Sequence, residues 1–323
     1  MSSAAVRAVR PVWPMLLAAA ALAPPTAHAQ GRPPDGGRGA FYIGYQYEQA
    51  HWTLLPEDVS GKSIPPYVGG PGNKSFEGEH YGNFVTADLD YAVREGLGIT
   101  AHLAYVSARY DGARPHKSST GQIVEADNGD WHSTLQDAEV GAHVTVLRAP
   151  IMLTPFVSYL FPVQAYADRG HAAIGHHLRE LKIGSALART LQPFLSDAYA
   201  QVIYSYYLAE RQVDHSIHRH RVDMELGYFV TPRLSIKGAA SWLRSSGGVD
   251  WYRSSAEFIR YTFVHDALAN ERSWRVGGGV GYVLSPRYTL YLIGFSTVSG
   301  ASTHAMNTLA SGVGWDFTTP WAR

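Results

Sequence analysis

Between Arg219 and Trp242 the chain reads RHRVDMELGYFVTPRLSIKGAASW, and its first half alternates with period two. Arg219, Arg221, Asp223 and Glu225 are ionised, while Val222, Met224, Leu226 and Tyr228 are apolar, with His220 the exception at the start. Side chains of a strand point to opposite faces in turn, so one face here is charged and the other is oily. A soluble sheet with its oily face packed inward shows the same alternation. The rest of the chain separates the two cases. Similar segments recur along it, joined by short turns on one side and long loops on the other. That is how a transmembrane, antiparallel up-and-down β-barrel reads, with apolar residues toward lipid, polar residues toward the lumen, and about ten residues per crossing.

The pattern predicts an all-β chain of twelve strands, at 40–52, 79–93, 97–109, 131–147, 152–166, 177–190, 197–208, 219–230, 234–243, 273–283, 289–298 and 304–317. In the second, Val85, Ala87, Leu89 and Tyr91 face lipid, and Asp88 and Asp90 point inward. The third sets Leu97, Ile99, Ala101, Leu103 and Tyr105 against Thr100 and His102. The fourth alternates most cleanly, with Ala138, Val140, Ala142, Val144 and Val146 out and Asp137, Glu139, Gly141, His143 and Thr145 in. The sixth puts Glu180 and Lys182 inward. Gly277, Gly279 and Gly281, and later Gly312 and Gly314, suit a tightly curved wall or the close approach of a plug. Five short turns alternate with six longer loops, which places both chain ends on the periplasmic side. A charge on the lipid face costs roughly 2–4 kcal/mol near the midplane, so turning the eighth strand over would cost on the order of 5–10 kcal/mol.

The first 29 residues change the picture further. Arg7 and Arg10 precede the short apolar run Val12 to Leu22, and Ala27-His28-Ala29 is a small-x-small cleavage site, so residues 1–29 read as an export signal. The apolar run is too short to span a bilayer. Residues 30–39, Gly/Pro-rich, read as a periplasmic lead-in, and the barrel is expected over 40–323. Without Arg7 and Arg10 the 27 basic side chains fall to 25, against 27 acidic ones, so no basic field exists to draw nucleic acid. With no Cys there is no disulfide, haem-attachment or lipoprotein chemistry. Twenty Tyr, eight Trp and abundant Gly in an exported chain fit a bacterial outer-membrane barrel, with outer-membrane lipid as its surroundings.

The block His177 to Leu243, with HHLRELKIG, YAQVIYSYYLAERQ and the R-x-D-x-E-x-GYF-x-TPRLS-x-K-G run, resembles the outer-membrane family named for the MetA pathway of phenol degradation. LTPFVSYLFPVQAY, Leu153 to Tyr166, is similar to that family's upstream segment. The resemblance covers about half of the chain after the signal, and it implies passage of aromatic or other small molecules. The chain departs from common barrel signals at its end, Thr-Thr-Pro-Trp-Ala-Arg, where a terminal aromatic would be usual.

Four sets of residues are candidates for chemistry. The inward charges Asp88, Asp90, Asp137, Glu139, Glu180, Lys182, Arg219, Arg221, Asp223, Glu225, Lys237 and Arg275 either line a constriction that selects small solutes or pair with one another and fill the lumen. His171, His176, His177, His215, His218 and His220 fall near the outer ends of strands six to eight, where imidazoles could converge on a metal or stay solvated; no recognised ligand spacing is present, so neither metal nor cofactor is expected. A lipase-like barrel hydrolase would need Ser, His and Asn or Asp together on one wall. Asp214-His215-Ser216 and His132-Ser133 supply the types, but adjacent residues of a strand face opposite ways. His116-Lys117-Ser118 has the spacing but sits in a loop, and Asp88 and Asp90 lie at the wrong end for a rim protease, so no enzyme is expected. The loops 54–78 and 244–271 carry Tyr67, Trp251, Tyr252, Phe258, Tyr261 and Phe263 and could fold inward as a plug or lie near the headgroups. The expectation is an outer-membrane channel for a small, aromatic or hydrophobic solute; the alternatives are a hydrolase and a structural or interaction barrel.

Overall fold

A computed structural model describes residues 36–64, 67–112, 115–117, 120–166, 168–212, 214–251 and 268–319. Twelve strands make the wall: β1 (Arg38–Leu54), β2 (Glu79–Arg94), β3 (Leu97–Asp111), β4 (His132–Leu135 with Ala138–Val144), β5 (Met152–Phe161) and β6 (Glu180–Thr190), then β7 (Ala198–Ala209), β8 (His218–Phe229), β9 (Leu234–Ser246), β10 (Arg272–Ser285), β11 (Tyr288–Ala301) and β12 (Thr303–Thr318). Each strand pairs antiparallel with the next, and β12 returns to β1, from Arg38↔Thr318 to Leu54↔Thr303. The sheet is therefore a closed barrel without a free edge, as a lipid-spanning sheet must be. The expected twelve-stranded up-and-down order is the observed one. Three short strands, Ser63–Ile64, Tyr67–Gly69 and Lys74–Phe76, form an arm in the first long loop that pairs onto the end of β1.

The outer face is what period two dictates. Ile43, Tyr45, Val85, Ile99, Tyr105, Val140, Val157, Ile183, Leu226, Tyr228, Ile236, Val280, Leu292 and Trp315 are all exposed, a continuous apolar belt from strands scattered along the sequence. In water such a belt would be a severe liability; in lipid it is the solvated face. Among the described residues no helix is long and apolar enough to cross a membrane.

Three strands differ most from expectation. β4 does not run unbroken from Trp131 to Leu147. Its pairing passes from Tyr105↔Leu135 to His102↔Glu139, one residue out of step, so Gln136–Asp137 is a bulge. The bulge reverses the parity of the strand: His132 and Thr134 face inward above it, Glu139 and His143 below it. Ala138, expected toward lipid, is buried there, and the strand ends at Val144. β5 stops at Phe161 and β6 starts at Glu180, which lengthens the loop between them to 162–179. That loop turns into the barrel because it has an apolar surface to meet: Ala172 and Ile174 pack on Ala104, Val106, Ala108 and Tyr110 of the inner face of β3.

Other loops close in beside it. Leu55 and Val59 bury against Trp251, while Ile217, Val249 and Leu268 form a second cluster. The signal segment, Ala27-His28-Ala29 included, most of the lead-in, Ser118, Tyr252, Phe258, Tyr261 and Phe263 lie outside the described residues.

Candidate functional site: the lumen and its outer mouth

Charged residues on the inner wall come in bonded sets. Lys182 of β6 reaches past Ser158 and Gly141, which are small enough to leave room, to donate to both oxygens of Glu139 on β4 at 2.9 and 3.2 Å. Its ammonium also lies 5.7 Å from the ring centres of Phe156 and Tyr207. On β8 the Arg221 guanidinium donates through Nε and Nη2 to Asp223 Oδ1, two residues along the same face, at 2.9 Å each. Arg219 pairs with Glu180 and lies 2.8 Å from His176 Nδ1. Lys237 of β9 donates to Glu225 Oε2 at 2.9 Å, and the Tyr199 hydroxyl donates to the other oxygen at 2.6 Å. Near the end of the barrel that carries the short turns, His102 bonds Asp88 at 2.7 Å and His143 bonds Asp90 at 3.2 Å. Asp137, in the bulge, accepts from the Tyr166 hydroxyl at 2.6 Å, and Tyr166 in turn holds the His177 amide. Burial, then that carboxylate, pushes the Tyr166 phenol well above its ordinary range. Arg275 of β10 faces inward between Ser241 and Thr297. All twelve charges named from sequence thus lie on the inner side or in the bulge.

The opposite wall is different. From β9 to β1, at the middle of the barrel, the inner face carries Ala239, then Gly277 and Gly279, then Tyr291, Ile293 and Phe295, then Ala310, Gly312 and Gly314, then Tyr42 and Gly44. Ala239, Ile293 and Phe295 form one apolar cluster with Tyr291 and Ala310 beside it. The glycines give the rings their places: a side chain at Gly312 or Gly44 would meet the Tyr291 hydroxyl, at Gly314 the Tyr42 ring, and at Gly277 the Phe295 ring. Glu48 and Arg275 stand above this patch and Asp316 below it. Sequence reading had the glycines but not the rings, although Tyr42, Tyr291 and Phe295 occupy inward parity in their strands.

At the outer mouth the infolded loop 162–179, the ends of β2 and β12 and the residue Trp251 line a half-open cavity of about 230 Å³. Histidines gather here: His80 on β2, His171 on the loop and His116 behind it are buried, and His304 on β12 is half-buried. Only His171 belongs to the set read from sequence. The other five scatter. His176 joins Arg219 and Glu180, His177 stands edge-on to Tyr166, His215 bonds the Gly247 carbonyl, and His218 and His220 lie against Tyr206, with His220 bonded to Tyr204 on the outer face. His218 and His220 point outward because they share parity with Val222, so they cannot converge with inward residues.

The nucleophile–base sets stay apart as well. His132 bonds Asn128 and Ser133 bonds Ser107, His215 bonds the Gly247 carbonyl while Asp214 pairs with Arg211, and His116 is held by Asp127.

No family model and no curated protein matches the chain. Solved structures do. An outer-membrane channel from Pseudomonas putida F1 superposes with a TM-score of 0.62 at 9% identity, over 88% of this chain and 97% of that one. The translocator domain of the autotransporter NalP from Neisseria meningitidis gives 0.50 at 11% identity, over 90% and 92%. At these identities the likeness is one of fold: this chain has the architecture of outer-membrane barrels.

Proposed function

We propose that this protein sits in the bacterial outer membrane and passes small solutes that combine an apolar or aromatic face with a polar or charged group. The observation that carries the reading is the two-sided lumen. Bonded charges cover the wall of β4 to β9, and small residues and rings cover the wall of β9 to β1. A solute crossing between them could set its ring against Tyr42, Tyr291 and Phe295 while its polar end exchanges hydrogen bonds along Glu139, Lys182, Arg221 and Glu225. Paired wall charges suit transit, since an ion pair offers both signs to a passing group without holding it as an isolated charge would. The sequence resemblance to the phenol-degradation outer-membrane family supports the same solute class.

The test is conductance of the purified barrel in planar bilayers, with Arg221→Ala and Glu225→Ala alongside. Discrete openings whose ion selectivity moves in opposite directions in the two variants are expected. Uptake into liposomes should favour an aromatic carboxylate over a sugar of equal size, and Phe295→Ser should reduce that preference. A second reading is favoured by how many of the wall charges are paired: a lumen whose charges satisfy one another describes a closed structural or interaction barrel. A silent bilayer with a folded barrel would select it.

A further inference from the structure

His80, His171 and His304 meet at the inner side of the outer mouth. One ring nitrogen from each lies within 4.8 Å of those of the other two. The ring centres of His80 and His304 are 4.1 Å apart, and those of His80 and His171 are 5.3 Å apart. Two of the three stand on the wall, on strands β2 and β12 that flank β1, where His80 lies opposite Ala50 and His304 opposite Thr53. The third arrives on the infolded loop. We propose that these three imidazoles form a binding site for one divalent transition-metal ion of the zinc, copper or nickel class, which fastens the loop 162–179 to the barrel wall.

The chemistry of the surroundings fits such an ion. A carbonyl oxygen can only accept, so the 2.9 Å bond between His80 Nδ1 and the His171 carbonyl places the His80 proton on Nδ1 and makes Nε2 the lone-pair nitrogen. Fixing the tautomer of a ligand by a hydrogen bond at its far nitrogen is the usual outer arrangement of a metal-binding histidine. His304 has its Nδ1 3.3 Å from the Thr53 hydroxyl, which can accept from it and so is compatible with the same arrangement. The loop histidine is itself held in place. Asp127 accepts from the His171 amide at 2.6 Å and from the His116 amide at 2.7 Å, so loop 162–179 is tied to the loop before β4. Glu77 lies 3.8 Å from His171 Nδ1 and supplies negative charge beside the three neutral ligands. All-imidazole sets select borderline transition metals over calcium or magnesium, which prefer oxygen. Three histidines with an open position facing a cavity also leave room for a water or solute as fourth ligand.

The experiment uses the refolded barrel in detergent micelles, stripped with chelator and titrated with Co²⁺ by visible absorption and with Zn²⁺ by calorimetry. Its readout does not depend on solute passage, so it can fail while the channel reading stands, and the reverse. One equivalent of either metal, with the d–d bands of a four- or five-coordinate cobalt site, is expected. His171→Ala should abolish the bands, and Thr53→Val should weaken binding by about tenfold, the low end of outer-anchor effects. His215→Ala, which alters a histidine elsewhere on the outer side, should change nothing. His171→Cys guards against a merely unfolded variant, since a thiolate on the same loop should add a sulfur-to-cobalt charge-transfer band. Absence of binding at millimolar metal, binding that survives His171→Ala, or binding lost with His215→Ala would each overturn the proposal.

Discussion

Removing the ammonium of Lys237 should be one of the costliest single changes in the wall. The side chains of Lys237 and Glu225 are only 8% and 10% exposed, and their charged atoms lie 2.9 Å apart. At an effective dielectric constant near 20 that separation is worth about 6 kcal/mol of direct attraction. Most of that attraction offsets the cost of drawing both charges from water, so the net value of the intact pair is small. Cutting it on one side is different, because Glu225 then stays buried with only the Tyr199 hydroxyl. Such half-pairs typically cost about 3–5 kcal/mol, and water in the lumen argues for the lower figure. Lys237→Met should therefore destabilise the barrel by about 3 kcal/mol. Glu225→Gln should cost a similar amount, and Lys237→Met with Glu225→Gln should cost well below the sum, with a coupling of about 1–3 kcal/mol. Urea unfolding in lipid vesicles, followed by tryptophan fluorescence, measures all three. Single variants within about 0.5 kcal/mol of the parent, or a double variant that is simply additive, would refute the argument that this pair is desolvated and mutually dependent.

Other consequences can be checked on the same preparation. Leu226→Arg puts a charge on the exposed apolar belt and should cost about 2–4 kcal/mol, whereas Gln201→Arg, inward beside Glu225, should cost far less. Ile174→Asp should free the infolded loop, which would appear as protease cleavage within 162–179 and as larger or more frequent openings in bilayers. Gly312→Leu would drive a side chain into the Tyr291 hydroxyl and the Ile43 carbonyl, with an expected loss of about 1–3 kcal/mol and slower uptake of aromatic solutes.

The wall was readable because period two acts at every strand and needs no tertiary knowledge. Val222 to Tyr228 against Arg219 to Glu225 states the two faces directly. The bulge at Gln136–Asp137 was not readable. Nothing in Leu135-Gln136-Asp137-Ala138 forbids regular alternation, and the slip is set by how β4 must meet both β3 and β5. The histidine site was hidden for another reason. His80 and His304 are each an ordinary inward residue in a strand, and only closure of β12 on β1 makes them neighbours. The infolding of loop 162–179 did leave a trace, the small apolar run Ala172-Ala173-Ile174 between Asp168-Arg169-Gly170-His171 and Gly175-His176-His177.

The ladder between β12 and β1 joins positions as far apart as Arg38 and Thr318, while every other ladder of the wall is a local hairpin. Relative to a five-residue turn, closing a loop of that length costs about 3–4 kcal/mol more in chain entropy, so it is the natural last step of folding. It is also a long ladder, at 15 register partners, as many as β2 makes with β3 and more than the 11 of β6 with β7. A circular permutant that joined Thr318 to Arg38 and opened the 191–196 turn would keep every pairing of the wall. It would, however, move the final closure onto the shorter ladder. Geometry would be unchanged and assembly would be slower, because the order in which a ring shuts belongs to the connectivity of the chain rather than to the ring.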